Sequence, residues 1–245
     1  MSAIIHKFSN SSNKNDTQLK RLADKIEDCL NEELSELVGH MFNGADDMLF
    51  QLAENADSNE EQTQYFDTMR MLRTERTNVS HNFADNIKAY LQPSQKKDNA
   101  TFDEDELSLV DQSEMEELVA VSAMHSKAMN LYGEAVNHLE ARIEFLSLKI
   151  NNVFPKDALT PKNICESFKD ALSEIELSTN NKLILYKLFD QEVVLHLAPL
   201  YQKLNQLFIG QGILPQIKPG NTTERRAEDK VRNFSASTQI GRAHV

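Results

Sequence analysis

The chain has no tryptophan, two cysteines, six prolines and seven glycines in 245 residues. Cys29 and Cys165 are too few and too far apart for a disulfide framework or a cysteine-rich zinc site, and they fit a reducing cytoplasm. So little glycine and proline leaves scant material for the tight turns of an all-β protein and favours helices. No stretch of about 18 consecutive apolar residues occurs, as a spanning helix requires. Met1 to Asp16 is too polar for a signal-peptide core despite Ile4 and Ile5, so neither export nor a membrane span is expected. Glu-x-x-His pairs, a Walker-type loop and zinc-finger spacing are also absent, which leaves no cofactor or metal implied. Basic residues are outnumbered 38 to 26, and the formal charge of -12 opposes sequence-independent binding to the phosphate backbone of nucleic acid.

What is present is a globular balance, 40% hydrophobic and 26% charged, arranged with helical periodicity. After a leader at 1–16, the spacing of Leu19, Leu22, Ile26, Leu30, Leu34, Leu37 and Met41 predicts a helix with one apolar face. Gly39 and Asn43-Gly44 predict a kink or tight turn, with a second helix beginning at Asp46 or Asp47. Ser58 and Glu61 have capping-box spacing, so a helix should start at Asn59 and end near Pro93. Its stripe runs from Tyr65 through Leu72, Val79 and Phe83 to Leu91, with Arg76 on the seam.

A polar break at 93–112 is a possible sub-boundary, and Phe102 to Glu117 holds eight acidic residues without one Lys or Arg. Leu107 to Val110 is a short piece that can pack in extended form. A second capping box at Ser113 and Glu116 opens the longest pattern, from Met115 and Leu118 through Ser122, His125 and Met129 to Ile143 and Ile150. Its 3.5-residue period suits coiled-coil-like packing, and at 1.5 Å per residue it would span about 55 Å. Thr160-Pro161 starts a short helix bearing Ile164, Phe168, Leu172 and Ile175, and 180–209 reads as a buried helix kinked at Pro199 and stopped at Gly210. The fold class expected is all-α, an elongated multi-helix bundle with one long spine helix, occupying 17–215. Residues 216–239 are expected to form a flexible tail or linker. Residues 240–245, Ile-Gly-Arg-Ala-His-Val, are the translation of ATC GGA AGA GCA CAC GTC, the start of a common short-read sequencing adapter. That match predicts an artefact at 240–245, and a natural chain that continues differently after Gln239.

Candidate chemistry is sparse. Glu134–His138 and Glu192–His196 are single i,i+4 pairs, which read as surface contacts in the absence of a full ligand set. His125, on the apolar seam, is expected as a buried, hydrogen-bonded core histidine, because no nucleophile, orienting acid and oxyanion donor can be assigned around it. Arg76 is expected to be partly buried and paired with a carboxylate of another helix, a structural role. Arg70 and Arg73, with Asp46 and Asp47, form a candidate contact or anion site.

Several strings carry a more specific signal: Phe42-Asn43-Gly44-Ala45-Asp46-Asp47, Ser58-Asn59 with Glu61-Gln62, Tyr65-Phe66-Asp67 ahead of Met69-Arg70, Leu109-Val110-Asp111, Leu185 to Phe189, and Pro199-Leu200-Tyr201 with Leu204-Asn205. Over about residues 40 to 215 the chain resembles the start of the proteobacterial family called domain of unknown function 1631. That resemblance implies a considerably longer bacterial cytoplasmic protein and supplies no catalytic residues. Some relatives carry a thymidine phosphorylase description, whose phosphate and nucleoside motifs are not found in this chain. The expected function is a helical interaction or regulatory module that binds a protein partner or self-associates. The alternative is a phosphate- or nucleotide-responsive regulator or enzyme completed beyond the end of this chain. Nucleic acid and membrane are not expected partners, and no small-molecule ligand is indicated.

Overall fold

The computed structural model describes residues 12–92, 112–148 and 154–217, with side chains from Thr17 onward. These form helices α1 (Ser12–Glu54), α2 (Asn59–Leu91), α3 (Gln112–Ser147), α4 (Pro161–Ser173), α5 (Thr179–Glu192) and α6 (Ala198–Gly210), with a single 3-10 turn at Val194–His196. Among the described residues there is no strand, so the fold is an all-α multi-helix bundle. The readings at 1–11, Leu107–Val110, 218–239 and 240–245 lie outside the described residues.

α1 and α2 form an antiparallel hairpin. Its register is marked by Gln62 Nε2 donating to the Ala53 carbonyl, Phe50 against Phe66, Arg73 on Asp46, Arg76 over Phe42, and Lys88 on Glu27. The turn is set locally. Ser58 Oγ accepts from the Glu61 amide at 3.1 Å, and the Glu61 carboxylate accepts from the Asp57 amide at 3.2 Å, one residue earlier than a reciprocal box requires. Further along the chain, Thr160 sits extended ahead of Pro161 at the start of α4.

The short helices lie between two long elements. α4 packs on α2 and α3, while α5 and α6 pack on α1 and α3, so that the hairpin and α3 face each other chiefly across α4, α5 and α6. Being covered from both sides, α4 buries Asn163, Cys165, Ser167 and Ala171 in addition to the expected Ile164, Phe168 and Leu172. The centre is aromatic: Phe168 stacks on Phe189 at 4.1 Å, and Phe83 meets both edge-on at 6.1 and 5.8 Å.

Four sequence expectations are corrected. α1 runs unbroken through Gly39 and Gly44, and already from Ser12, because Val38, Met41, Phe42, Ala45, Leu49 and Ala53 keep the buried stripe in phase across both glycines. Among the described residues it is therefore α1, at 43 residues, that is the longest helix, ahead of α3 at 36. Ser113 lies inside α3 and does not precede it. The expected kink at Pro199 is a full break, with α5 ending at Glu192 and Pro199 in the first turn of α6, where its missing amide costs nothing. The expected stop at Gly210 is where α6 ends, and Gly212 then takes the positive φ of 75° that the chain reversal needs.

Candidate interaction site on the first helix hairpin

The structure brings together some of the sequence-picked residues and separates others. Arg73 Nε donates to both carboxylate oxygens of Asp46, at 3.1 and 3.0 Å, across the α1–α2 interface. The pair is open to water, with the arginine side chain 60% and the aspartate 36% exposed, so it contributes at most about 1 kcal/mol. Asp47 and Arg70 are exposed, one on each helix. One turn beyond the ion pair, Phe50 follows Asp46 on α1 and Phe66 precedes Arg70 on α2. These two rings remain 47% and 37% exposed while meeting edge-on at 6.3 Å.

An arginine whose guanidinium already holds a carboxylate is a weak receptor for phosphate, since any anion must displace Asp46 or approach it against like charge. Asp46 thus competes with any anion for Arg73, while Arg70 stays open, and two surface aromatics adjoin the group. The residues the sequence missed here are Phe50 and Phe66. The signal was present, as Phe66 stands in the Tyr65-Phe66-Asp67 string, but each phenylalanine alone reads as a core residue.

Arg76 is not buried. It lies exposed on α2 with its guanidinium 5.9 Å from the centre of the buried Phe42 ring, a cation–π contact in place of the expected carboxylate. The long side chain leaves the seam by lying across the ring, which spares the cost of desolvating the charge. His125 is likewise only half-buried, and neighbouring Ser122 is exposed, because the inner face of α3 in this half runs through Val121, Met124 and Ala128.

The buried polar groups are others. Glu117, placed by sequence in a solvated acidic run, accepts from Lys182 Nζ at 2.9 Å and from Tyr186 Oη at 2.7 Å, its side chain only 15% exposed. Asn181 donates to Thr68 Oγ1 between α5 and α2. Arg142, 3% exposed, donates from Nη1 to Asn205 Oδ1, while Asn205 Nδ2 holds the Ala135 and Tyr201 carbonyls at 3.0 and 2.8 Å. These hydrogen bonds fix helix against helix, and the Asn181–Thr68 pair forms part of the wall of a groove between α2 and α5.

Neither thiol is primed as a nucleophile. Burial pushes Cys165 up to about 12, and burial followed by the Glu33 charge raises Cys29. A groove of about 620 Å³ between α2 and the α4–α5 turn has Glu60, Asp67 and Glu176 among its walls and no basic side chain, which suits a phosphate poorly. Among the described residues no group of three His, Cys, Asp or Glu is placed to hold a metal ion.

Residues 18–212 match the family model described as protein of unknown function (DUF1631) N-terminal domain. The chain belongs to the DUF1631 family. No curated protein and no solved structure matches it. Of the strings that carried the resemblance, Leu109-Val110-Asp111 lies outside the described residues, and residues of four others build this DUF1631 fold. Phe42 lies under Arg76, Asp46 holds Arg73, Ser58 caps α2, Phe189 stacks in the core, and Asn205 holds Arg142. No described helix of the DUF1631 domain is long and apolar enough to cross a membrane.

Proposed function

We propose that this domain is a protein-interaction module of a longer bacterial cytoplasmic protein, and that the hairpin surface around Phe50 and Phe66 is its contact site. The observation that supports the reading is the pair of half-exposed aromatic rings set one turn beyond the Asp46–Arg73 pair, with Arg70 between them on α2. Aromatic and arginine side chains are the residue types that dominate binding energy at interfaces, the aromatics because they bury much area with few rotors to freeze and arginine because its planar guanidinium offers several donors. Arg70 has no ion-pair partner among the described residues and stands next to the rings. The partner segment that fits carries an apolar anchor beside an acidic residue. A phosphate-directed role is the weaker reading, for the reason that Asp46 occupies Arg73.

The test is site-specific photo-crosslinking in the cell of origin, with a benzophenone amino acid at position 66 and, as a control, at the exposed position 78. The reading expects one dominant protein adduct from position 66, reduced at least tenfold by Arg70→Glu with an unchanged circular-dichroism melt. Equal adduct patterns from 66 and 78, or an adduct indifferent to Arg70→Glu, would overturn it.

A further inference from the structure

The buried face of α3 runs from Val121 through Met124, Ala128, Val136, Leu139 and Ile143 to Leu146, yet the stripe seen in the sequence begins elsewhere. Met115 is 49% exposed, Leu118 56% and Val119 61%, and they lead into Ser122 and Ser126, also exposed, and then to half-buried Met129, where the stripe rejoins the core. The steps of three and four keep these six residues on one side of the helix, and none carries a charge. Outward faces of helices are ordinarily charged, and this chain has 26% charged residues to place. The N-terminal half of α3 thus carries a second apolar stripe, turned away from the bundle. Large residues occupy its first turns and serines follow, so an approaching helix finds knobs at one end and room for its backbone at the other.

We propose that this outer face of α3, from Met115 to Met129, docks an amphipathic helix with basic flanks from a protein partner. The spacing is that of a helix-to-helix seam, which specifies the shape of the occupant. Charge specifies its sign. Glu114 and Glu116 stand exposed beside Met115, and no Lys or Arg occurs between Gln112 and Met124 to offset them on this part of the helix. A second copy of the chain fits less well, since it would bring another formal charge of -12 and its own Glu114 and Glu116 to the same contact. The face is separate from the Phe50–Phe66 surface, so the proposal stands whether or not that surface binds anything.

The experiment uses the full chain and two synthetic 21-residue helical peptides that share a leucine seam, one flanked by lysine and one by glutamate. Fluorescence anisotropy of the lysine peptide should rise to saturation, and the glutamate peptide should bind at least tenfold more weakly. Leu118→Glu and, as an independent variant, Val119→Lys should each weaken the lysine peptide at least tenfold without moving the thermal melt. Phe66→Ala should leave it unchanged. Failure of the lysine peptide to saturate, or saturation unaffected by both α3 variants, would overturn the proposal. So would a concentration-dependent dimer in light scattering that Leu118→Glu abolishes, which would assign the face to a second copy.

Discussion

Arg142 sits on the inner face of α3 between Leu139 and Leu146, nearly sealed from water, and burial lowers its pKa. Its hydrogen-bonding companion is an amide, Asn205, so the charge is oriented but not neutralised, and its Nε has no hydrogen-bond partner. Removing one member of such a contact is worse than removing both, because a buried donor left alone still bears its desolvation cost. Asn205→Ala should therefore lower stability by about 2–3 kcal/mol in urea unfolding. The double variant Arg142→Met with Asn205→Leu should recover at least half of that loss. A double variant less stable than the single one would show that the guanidinium stabilises the fold in its own right. Sequence reading did not find this pair. Arg142 looks like one more charge beside Ile143, and its companion is 63 residues away, a separation that no helical period reports. The Asp46–Arg73 pair was accessible only as four residues worth examining, since the hairpin register that joins them is a tertiary fact.

Local chemistry, by contrast, was legible at the level of whole helices. The Ser58 cap, the Thr160-Pro161 start and the end at Gly210 depend on residues within one turn, and each stands where the sequence places it. The failures came where packing outweighs propensity. A glycine inside a helix costs about 1 kcal/mol relative to alanine, a strong stop signal alone but a weak one against the buried stripe on both sides of Gly39 and Gly44. A β-carbon added at either position meets nothing within 4 Å. Gly39→Ala and Gly44→Ala should each stabilise the protein, by about 0.5–1 kcal/mol, raising the urea midpoint at constant slope. Destabilisation by either would mean that the glycine serves a bend or a close approach. In α3 the error has another origin. Its apolar residues form two stripes, one facing α4 to α6 and one facing out, and a 3.5-residue count starting at Met115 follows the outer stripe before it crosses to the inner. Periodicity locates apolar faces but does not say which of two will be covered.

For the molecule as a whole, the layer enclosed by the hairpin and α3 collects groups that must stay neutral. Cys165 on α4 is held up at about 12 by burial, then by the charges of Asp190 and Glu166, and Tyr90 on α2 is held up at about 12 by burial, then by the charge of Glu166. Burial also raises Tyr186 on α5, with the Glu117 hydrogen bond adding to it, and Tyr201 on α6. Each is an acid whose folded-state pKa lies above its ordinary value, 9.0 for the thiol and 10.0 for the phenols. The unfolded chain then releases these protons first. Stability from this source is complete below about pH 9 and is lost as pH rises towards the folded values, with a limiting slope of about 1.4 kcal/mol per pH unit for each group. Urea midpoints should accordingly hold level through neutral pH, begin to fall near pH 9 as the unfolded thiol ionises, and steepen above pH 10 as the phenols join. Cys165→Ala lowers stability at every pH by leaving a small void, so the informative readout is the slope: between pH 9 and 10 the variant should lose less stability than the parent, by about 1 kcal/mol. Parallel curves for the two proteins would mean that Cys165 ionises as easily in the folded state as in the unfolded, which is incompatible with a thiol sealed between the hairpin and α3.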